Sequence, residues 1–356
     1  MHRDLPLLDT RRAVRRVLRG LEWNGGGEPP LALVALSGGA DSLALAAALA
    51  YEAPRVGIRA GAVIVDHGLQ EGSAAVAAQA ADGAIELGLA PVLVRRVFVP
   101  TLGGEPGAGP GVSGGGPENA AREARYAALA TAATELGASW MLTAHTRSDQ
   151  AEQVLLGLAR GSGTRSVAGI PEERPLTANC TLLRPFLARE PEITRETTVA
   201  ACALQQLRPW QDPHNSDPAY TRVRVRDRVL PVLEAELGPG VAAALARTAD
   251  LAAEDAAALD ELACAALERL RITADPVTLD IDGLAALPSA LRNRVIRRAA
   301  RADFGAQLGR AHTATVAALV TDWRGQGPAF VPGLTITREA GALVFRVQRG
   351  SPRAAL

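Results

Sequence analysis

The 356-residue chain contains no lysine, so its 38 basic residues are all arginine, balanced by 38 acidic residues at zero net charge. That absence excludes a Schiff-base lysine, an adenylated enzyme lysine and a Walker-type phosphate loop, whose lysine reaches the β- and γ-phosphates. Aromatic residues are scarce, at 3 % against 48 % hydrophobic, so a core must be assembled mainly from Ala, Val and Leu. The three cysteines, Cys180, Cys202 and Cys264, form no C-x-x-C pair. A zinc ribbon, an iron–sulfur centre or a redox dithiol of that spacing is thereby disfavoured, and no His/Cys cluster has zinc spacing. No run of about 18 apolar residues is present to span a membrane. The opening MHRDLPLLDTRRAVRRVLRGL reads as an arginine-studded amphipathic helix rather than a signal peptide. A soluble, cytoplasmic protein with no membrane partner is expected. Zero net charge does not advertise a nucleic-acid binder, although a local arginine patch would suffice for one.

What is present begins with alternation. The length fits about two domains. Strands are predicted at Leu31–Leu36, Ala60–Val65, Pro91–Val99 and Ser139–Ala144, with helical stretches near 42–52, 74–88, 119–137 and 148–159 between them. Continuous apolar strands separated by helices predict an α/β fold with a doubly wound parallel sheet covered on both faces. Ligands bind such sheets at the carboxyl ends of the strands. Three polar clusters fall there: Ser37 to Ser42, Asp66-His67-Gly68, and His145 with the residues after it. Residues 101–118, TLGGEPGAGPGVSGGGPE, read as a flexible low-complexity loop, with a substrate lid as the alternative. From about residue 186 the pattern becomes helical, and GPAFVPGLTITREAGALVFRV closes it as a small β-hairpin around Glu339-Ala340-Gly341. The turn-rich PWQDPHNSDP sets an expected boundary between a nucleotide-binding domain, 1–212, and a mainly helical domain, 213–356.

Ser37-Gly38-Gly39-Ala40-Asp41-Ser42, between a strand and a helix, is an S-G-G-x-D-S motif that resembles the PP-loop of the ATP pyrophosphatase superfamily. Glycines let backbone N–H groups close on phosphate oxygens, and the helix N-terminus adds partial positive charge, so such a loop needs no lysine. Ser37 and Ser42 add hydroxyls. Asp41 cannot face phosphate directly, which suits it to ligate Mg²⁺. The blocks VIVDHGL, ENAAREARY, AHTRSDQAEQVLLGLARGSG, LLRPFL and WQDPHNSDPAYTRVRVRDRVLP follow in order. Together they resemble the tRNA(Ile)-lysidine synthases over residues 31–231, and the helical remainder is similar to that family's second domain. Longer members carry a further C-terminal domain that this chain is expected to lack. The resemblance implies that ATP adenylates the C2 carbonyl oxygen of the wobble cytidine in a tRNA(Ile) with anticodon CAU. Free L-lysine then displaces AMP through its ε-amine, giving lysidine.

Under that resemblance each candidate residue has a role and a plainer alternative. Asp149 and Glu152, three apart and so on one helix face, form a socket for lysine rather than a solvated acidic surface. The attacking amine must lose its proton to one of the carboxylates or to the phosphate leaving with AMP, and Asp149 is the favoured acceptor. Arg122 is the expected clamp on the α-phosphate, planar guanidinium suiting its oxygens, while Arg125 is equally read as a surface residue. Asp66, His67 and His145 complete the ATP-binding set, with buried structural histidines as the alternative. Arg222, Arg224 and Arg226 are expected to face tRNA phosphate or substrate; Val223 stands where the family usually has Asn, and Ser148 where it often has Asp or Asn. Arg294, Arg297, Arg298 and Arg301 on LRNRVIRRAAR form a candidate tRNA-backbone patch. A homodimer is left open. The rivals are a tRNA thiolase of the same superfamily, which would need cysteine pairs or a cluster, an amide-forming synthetase, and a non-catalytic tRNA- or nucleotide-binding module.

Overall fold

The computed structural model describes residues 4–21, 27–66, 68, 72–97, 117–161, 163–210 and 217–348. The chain divides into two compact units, Met1–Ala252 and Ala253–Leu356. The first unit begins α1 (Leu5–Arg19), β1 (Leu31–Ala35), α2 (Ala40–Glu52), β2 (Arg59–Asp66), α3 (Ser73–Glu86), β3 (Val92–Arg96), α4 (Pro117–Glu135) and β4 (Ala138–Leu142). It continues with α5 (Arg147–Ala159), α6 (Thr164–Val167), β5 (Glu173–Pro175), β6 (Thr181–Leu183), α7 (Arg195–Leu204), α8 (Thr221–Arg224), α9 (Leu230–Leu237) and the start of α10 (Val241–Leu270). The four strands predicted from the sequence are therefore present, in order.

Six strands pair as β3-β2-β1-β4-β6-β5, parallel throughout except that β5 runs antiparallel to β6. Both faces of β1 are covered, which is why its sequence is an unbroken apolar run. Ala32 and Val34 pack into a cluster with Leu45 and Leu49 of α2, Ala84 of α3 and Ala201 of α7. Leu31 and Leu33 point the other way, onto Leu129 and Ala133 of α4. Small side chains let these layers approach closely, and Phe186 is the one aromatic among the largest fully buried side chains of this unit. Between α8 and α9 lies a π-helical turn, Val225–Val229. Pro231 lacks the N–H that an α-helix would direct to the carbonyl of Asp227, so the ladder is interrupted there.

The second unit contains β7 (Arg271–Ala274), β8 (Val277–Asp280), α11 (Ile281–Ala286), α12 (Ser289–Phe304), α13 (Arg310–Thr321), β9 (Ala329–Val331), β10 (Leu334–Glu339) and β11 (Ala342–Val347). The expected hairpin is β10 with β11, turned by Ala340 and Gly341, both at positive φ. It is the middle of an antiparallel sheet ordered β7-β8-β11-β10-β9, larger than the sequence suggested. The added strands have only three or four residues each, too few to leave a periodic signal. Helices and sheet share a core that includes Leu267, Leu279, Ile296, Val316, Ile336 and Phe345. No single described helix is long and apolar enough to cross a membrane.

Gly61 on β2 carries a tight constraint. A Cβ at this position would lie 2.5 Å from the Pro91 carbonyl oxygen and 2.8 Å from Leu33 Cδ2, contacts that real structures do not tolerate. Gly61→Ala should therefore lower the unfolding free energy by about 1–3 kcal/mol. Urea denaturation followed by circular dichroism checks this, and an unchanged midpoint would contradict the packing described.

Candidate active site

The order of the large sheet reverses at β1, which has β2 and β3 on one side and β4 on the other. Loops leaving the carboxyl ends of β1 and β4 diverge there and open a crevice. The crevice is a cleft of about 910 Å³, lined among others by Ser37, Asp41, Asp66, Tyr126, His145 and Glu152.

On one wall, β1 runs into Ser37-Gly38-Gly39 and then into the first turn of α2. Gly38 has φ +83°, a left-handed conformation that favours glycine. Its carbonyl accepts from the Trp210 N–H at 2.9 Å, tying the loop to a distant segment. Ser42 folds back on the loop, donating to the Gly39 carbonyl at 2.9 Å and accepting from the Ser37 N–H at 3.2 Å. Its hydroxyl therefore braces the turn. Gly39 caps α2 without a side-chain acceptor, which leaves the first-turn N–H groups facing the cleft for an anion. Asp41 accepts a short hydrogen bond from Thr198 and lies 3.6 Å from the Arg195 guanidinium. Burial pushes its carboxyl above the usual range, although Thr198 opposes that shift. Asp66, at the end of β2, accepts from the Gly68 N–H at 2.9 Å and faces Arg96 at 3.8 Å.

The opposite wall is α5, whose entry is fixed by two devices. Arg147 is 4 % exposed and makes a paired contact with Asp250, both distances 2.8 Å. Asp149 completes a capping box, its Oδ2 accepting from the Thr146 N–H at 2.8 Å and from the Thr146 hydroxyl at 3.1 Å. One turn on, Glu152 is 2 % exposed and meets Arg222 Nε at 3.1 Å, without the alignment of a hydrogen bond. Burial raises its carboxyl to about 7, with the charge of Asp149 adding to the shift. His145 approaches Thr143 through Nδ1 at 3.2 Å, and burial lowers its pKa to about 3, so it stays neutral near pH 7.

These walls bring together residues 16–233, which match the profile of the PP-loop domain; residues 279–344 match that of the TilS substrate binding domain. The tRNA(Ile)-lysidine synthase of Leifsonia xyli is 56 % identical over 317 residues, covering 88 % of this chain and 89 % of that one. The tRNA(Ile)-lysidine synthase of Salinispora tropica is 53 % identical over 342 residues, covering 95 % and 96 %. The chain belongs to the tRNA(Ile)-lysidine synthase family. A solved structure, the U34-tRNA thiolase NcsA of Methanococcus maripaludis with its 4Fe-4S cluster, superposes with a TM-score of 0.52 at 18 % identity. It covers 70 % of this chain and 80 % of that one, a likeness of fold alone.

Within this lysidine synthase family member, the residues expected from sequence divide. Ser37, Gly39, Ala40, Asp41, Ser42, Asp66, His145, Asp149, Glu152, Arg222 and Arg226 all line the cleft. Gly38 acts from behind through its backbone. His67 and nearly all of the loop 101–118 lie outside the described residues. Arg122 is not among the cleft-lining residues and lies 5.4 Å from the Tyr126 ring, while Arg125 lines the cleft. Arg224 turns to its own helix start, donating to the carbonyls of Pro218 and Ala219 at 2.6 and 2.8 Å. Of the arginine patch on α12, Arg298 and Arg301 are exposed. Arg294 is a correction: it is 8 % exposed, 3.5 Å from Asp260, and faces inward rather than outward to a ligand. Sequence reasoning missed Arg195, Thr198 and Trp210, which converge on the PP-loop. Trp210 opens the block WQDPHNSDPAYTRVRVRDRVLP, but nothing local shows its contact with the loop. Nothing local marks Arg195 or Thr198 either, because each acts on a residue more than 150 positions away.

The Glu152 carboxyl makes the site pH-sensitive. Its folded pKa of about 7 exceeds the ordinary 4.5, so between those values the folded chain holds a proton that the unfolded chain releases. Its contribution to stability is thus full at low pH and declines as pH rises through 7. Glu152→Gln has no such titration, so its melting temperature relative to the parent should climb between about pH 5 and about pH 8. Thermal melts across that range test this, and a constant difference would rule out the raised pKa.

Proposed function

We propose that the protein ligates free L-lysine to C2 of the wobble cytidine of a tRNA(Ile) with anticodon CAU, converting ATP to AMP and pyrophosphate in the cytoplasm. The observation that carries this reading is the pair Asp149 and Glu152, held on α5 across the cleft from the PP-loop. Catalysis is assigned to residues 1–212 with Arg222 and Arg226, and the grip on tRNA largely to residues 213–356.

In the first step the cytidine C2 oxygen attacks the α-phosphorus of ATP, and the bond to the β-phosphate breaks to release pyrophosphate. The uncapped N-terminus of α2 and the loop N–H groups hold the phosphates. Asp41 fits Mg²⁺, which is commonly held by one or two carboxylates together with substrate phosphates and would neutralise their charge. Among the described residues no group of three His, Cys, Asp or Glu gathers as an all-protein metal cage, consistent with that single-carboxylate arrangement. Arg125 on the cleft wall, with Arg122 near the same Tyr126 ring, supplies guanidinium charge toward the reacting phosphate.

In the second step the ε-amine of lysine attacks C2, and the C2–O bond to AMP breaks. Lysine's ammonium is ordinarily protonated near pH 7, with a pKa of about 10.4. Glu152, poised at about 7, is the better proton acceptor, because Asp149 already commits Oδ2 to the helix cap. Asp149 keeps its other oxygen for the ammonium, which reverses the role expected from sequence. Sulfur delivery is the alternative chemistry. Cys202 lines the cleft, but burial raises its thiol to about 11, and Cys180 is raised likewise, so neither is a ready thiolate.

Transfer of radiolabelled lysine to tRNA(Ile) with a CAU anticodon, dependent on ATP and absent with elongator methionine tRNA, is the direct test. Release of AMP and pyrophosphate without label would keep base activation and exclude lysine as the nucleophile. Asp149→Asn retains an acceptor for the helix cap but loses a charge-assisted hydrogen bond of about 1.5–3 kcal/mol. The KM for lysine should then rise roughly 10- to 100-fold. An unchanged KM for lysine would remove Asp149 from the socket.

A further inference from the structure

Tyr126 on α4 is surrounded by cations. The guanidinium of Arg174 lies 4.6 Å from its ring centroid, that of Arg122 5.4 Å and that of Arg125 5.9 Å. Arg184 donates to its hydroxyl at 3.5 Å. Burial would raise the Tyr126 hydroxyl, yet the hydrogen bond from Arg184 and the nearby guanidinium charges outweigh it and lower its pKa.

None of these four arginines forms an ion pair with a carboxylate among the described residues. Arg184 is only 2 % exposed and its Nε has no hydrogen-bond acceptor; its remaining anchor is the Pro171 carbonyl, 2.6 Å from Nη1. A buried cation without an anion is costly, and a chain of zero net charge has acids enough to have matched it. Among the described residues that charge is unmatched, which suits the cluster to an anion from outside.

The arrangement indicates which anion. Arg125 and Tyr126 line the cleft, whereas Arg174 sits half-exposed on β5, the edge strand of the sheet. The guanidiniums thus gather around one ring that borders the cleft, and Arg174 extends the cluster to the edge strand. A triphosphate is compact and already has the PP-loop. An extended polyanion, with one charge per repeating unit, suits a cluster that borders the cleft and reaches the edge strand. We infer that the Tyr126 cluster is a seat for consecutive backbone phosphates of the RNA strand that delivers the target base, with Tyr126 positioning the arginines by cation–π contact. This inference rests on the reading that RNA enters this cleft.

The test is binding of unmodified tRNA(Ile) to the full chain as a function of salt, which needs no turnover. Arg174→Ala, at a half-exposed edge position, should weaken binding several-fold at moderate salt and make the slope of log affinity against log salt shallower by about one. Arg174→Lys should restore the slope, since it returns the charge. In turnover assays the KM for tRNA should rise while that for ATP does not. Unchanged tRNA affinity and slope in Arg174→Ala would overturn the inference, as would a rise confined to the KM for ATP, which would give the seat to the nucleotide. Arg174-dependent tRNA binding in a parent chain that incorporates no lysine would keep the inference and sink the reading beneath it.

Discussion

The position of β1 between β2 and β4 is the constraint on which the site depends. Because β1 is hydrogen-bonded on both edges and packed on both faces, its carboxyl end cannot shift independently of the sheet. The chain then leaves β1 and β4 toward different helices, so the starts of α2 and α5 both border one cleft. One wall offers backbone N–H groups and Asp41; the other offers Asp149 and Glu152. The proposed phosphate site and the carboxylate pair are thereby kept at a separation set by strand spacing rather than by loops.

The absence of lysine gives this arrangement a particular chemical character. Arginine stays charged when buried, whereas lysine in the same place loses its proton readily. Arg147 and Arg184 can therefore sit at 4 % and 2 % exposure. Under the proposed reaction, the lysine side chain entering the cleft is the substrate's own, with no enzyme lysine to compete for the activated base. Arg222 beside Glu152 does not compete chemically either, because its guanidinium is a poor nucleophile while charged.

Much of this was legible in the sequence. The SGGADS stretch carries its own instructions: a glycine at 38 for the left-handed turn, a serine at 42 to brace it, and a helix start behind. The Asp149 and Glu152 pair follows from helical spacing and is found on one wall. The Arg294 assignment failed because helical spacing says which residues share a face, not which face is buried; Asp260 and the core decide that. The extra strands β7, β8 and β9 went unread because three or four residues acquire β structure only from their partners.

By itself, then, the sequence determined the elements and the local devices, since backbone sterics, turn chemistry and side-chain periodicity act over a few residues. It also determined the family, through motifs that are contiguous. Tertiary structure alone decided the charge states and the neighbours. Thr198 reaches Asp41 across 157 positions, and Arg184 reaches Tyr126 across 58. Glu152 is raised to about 7 chiefly by burial, a property of the packed layers around it rather than of its neighbours in the chain. Desolvation and Coulomb energy depend on distance in space, and that distance exists only once the sheet order has brought remote segments to one edge.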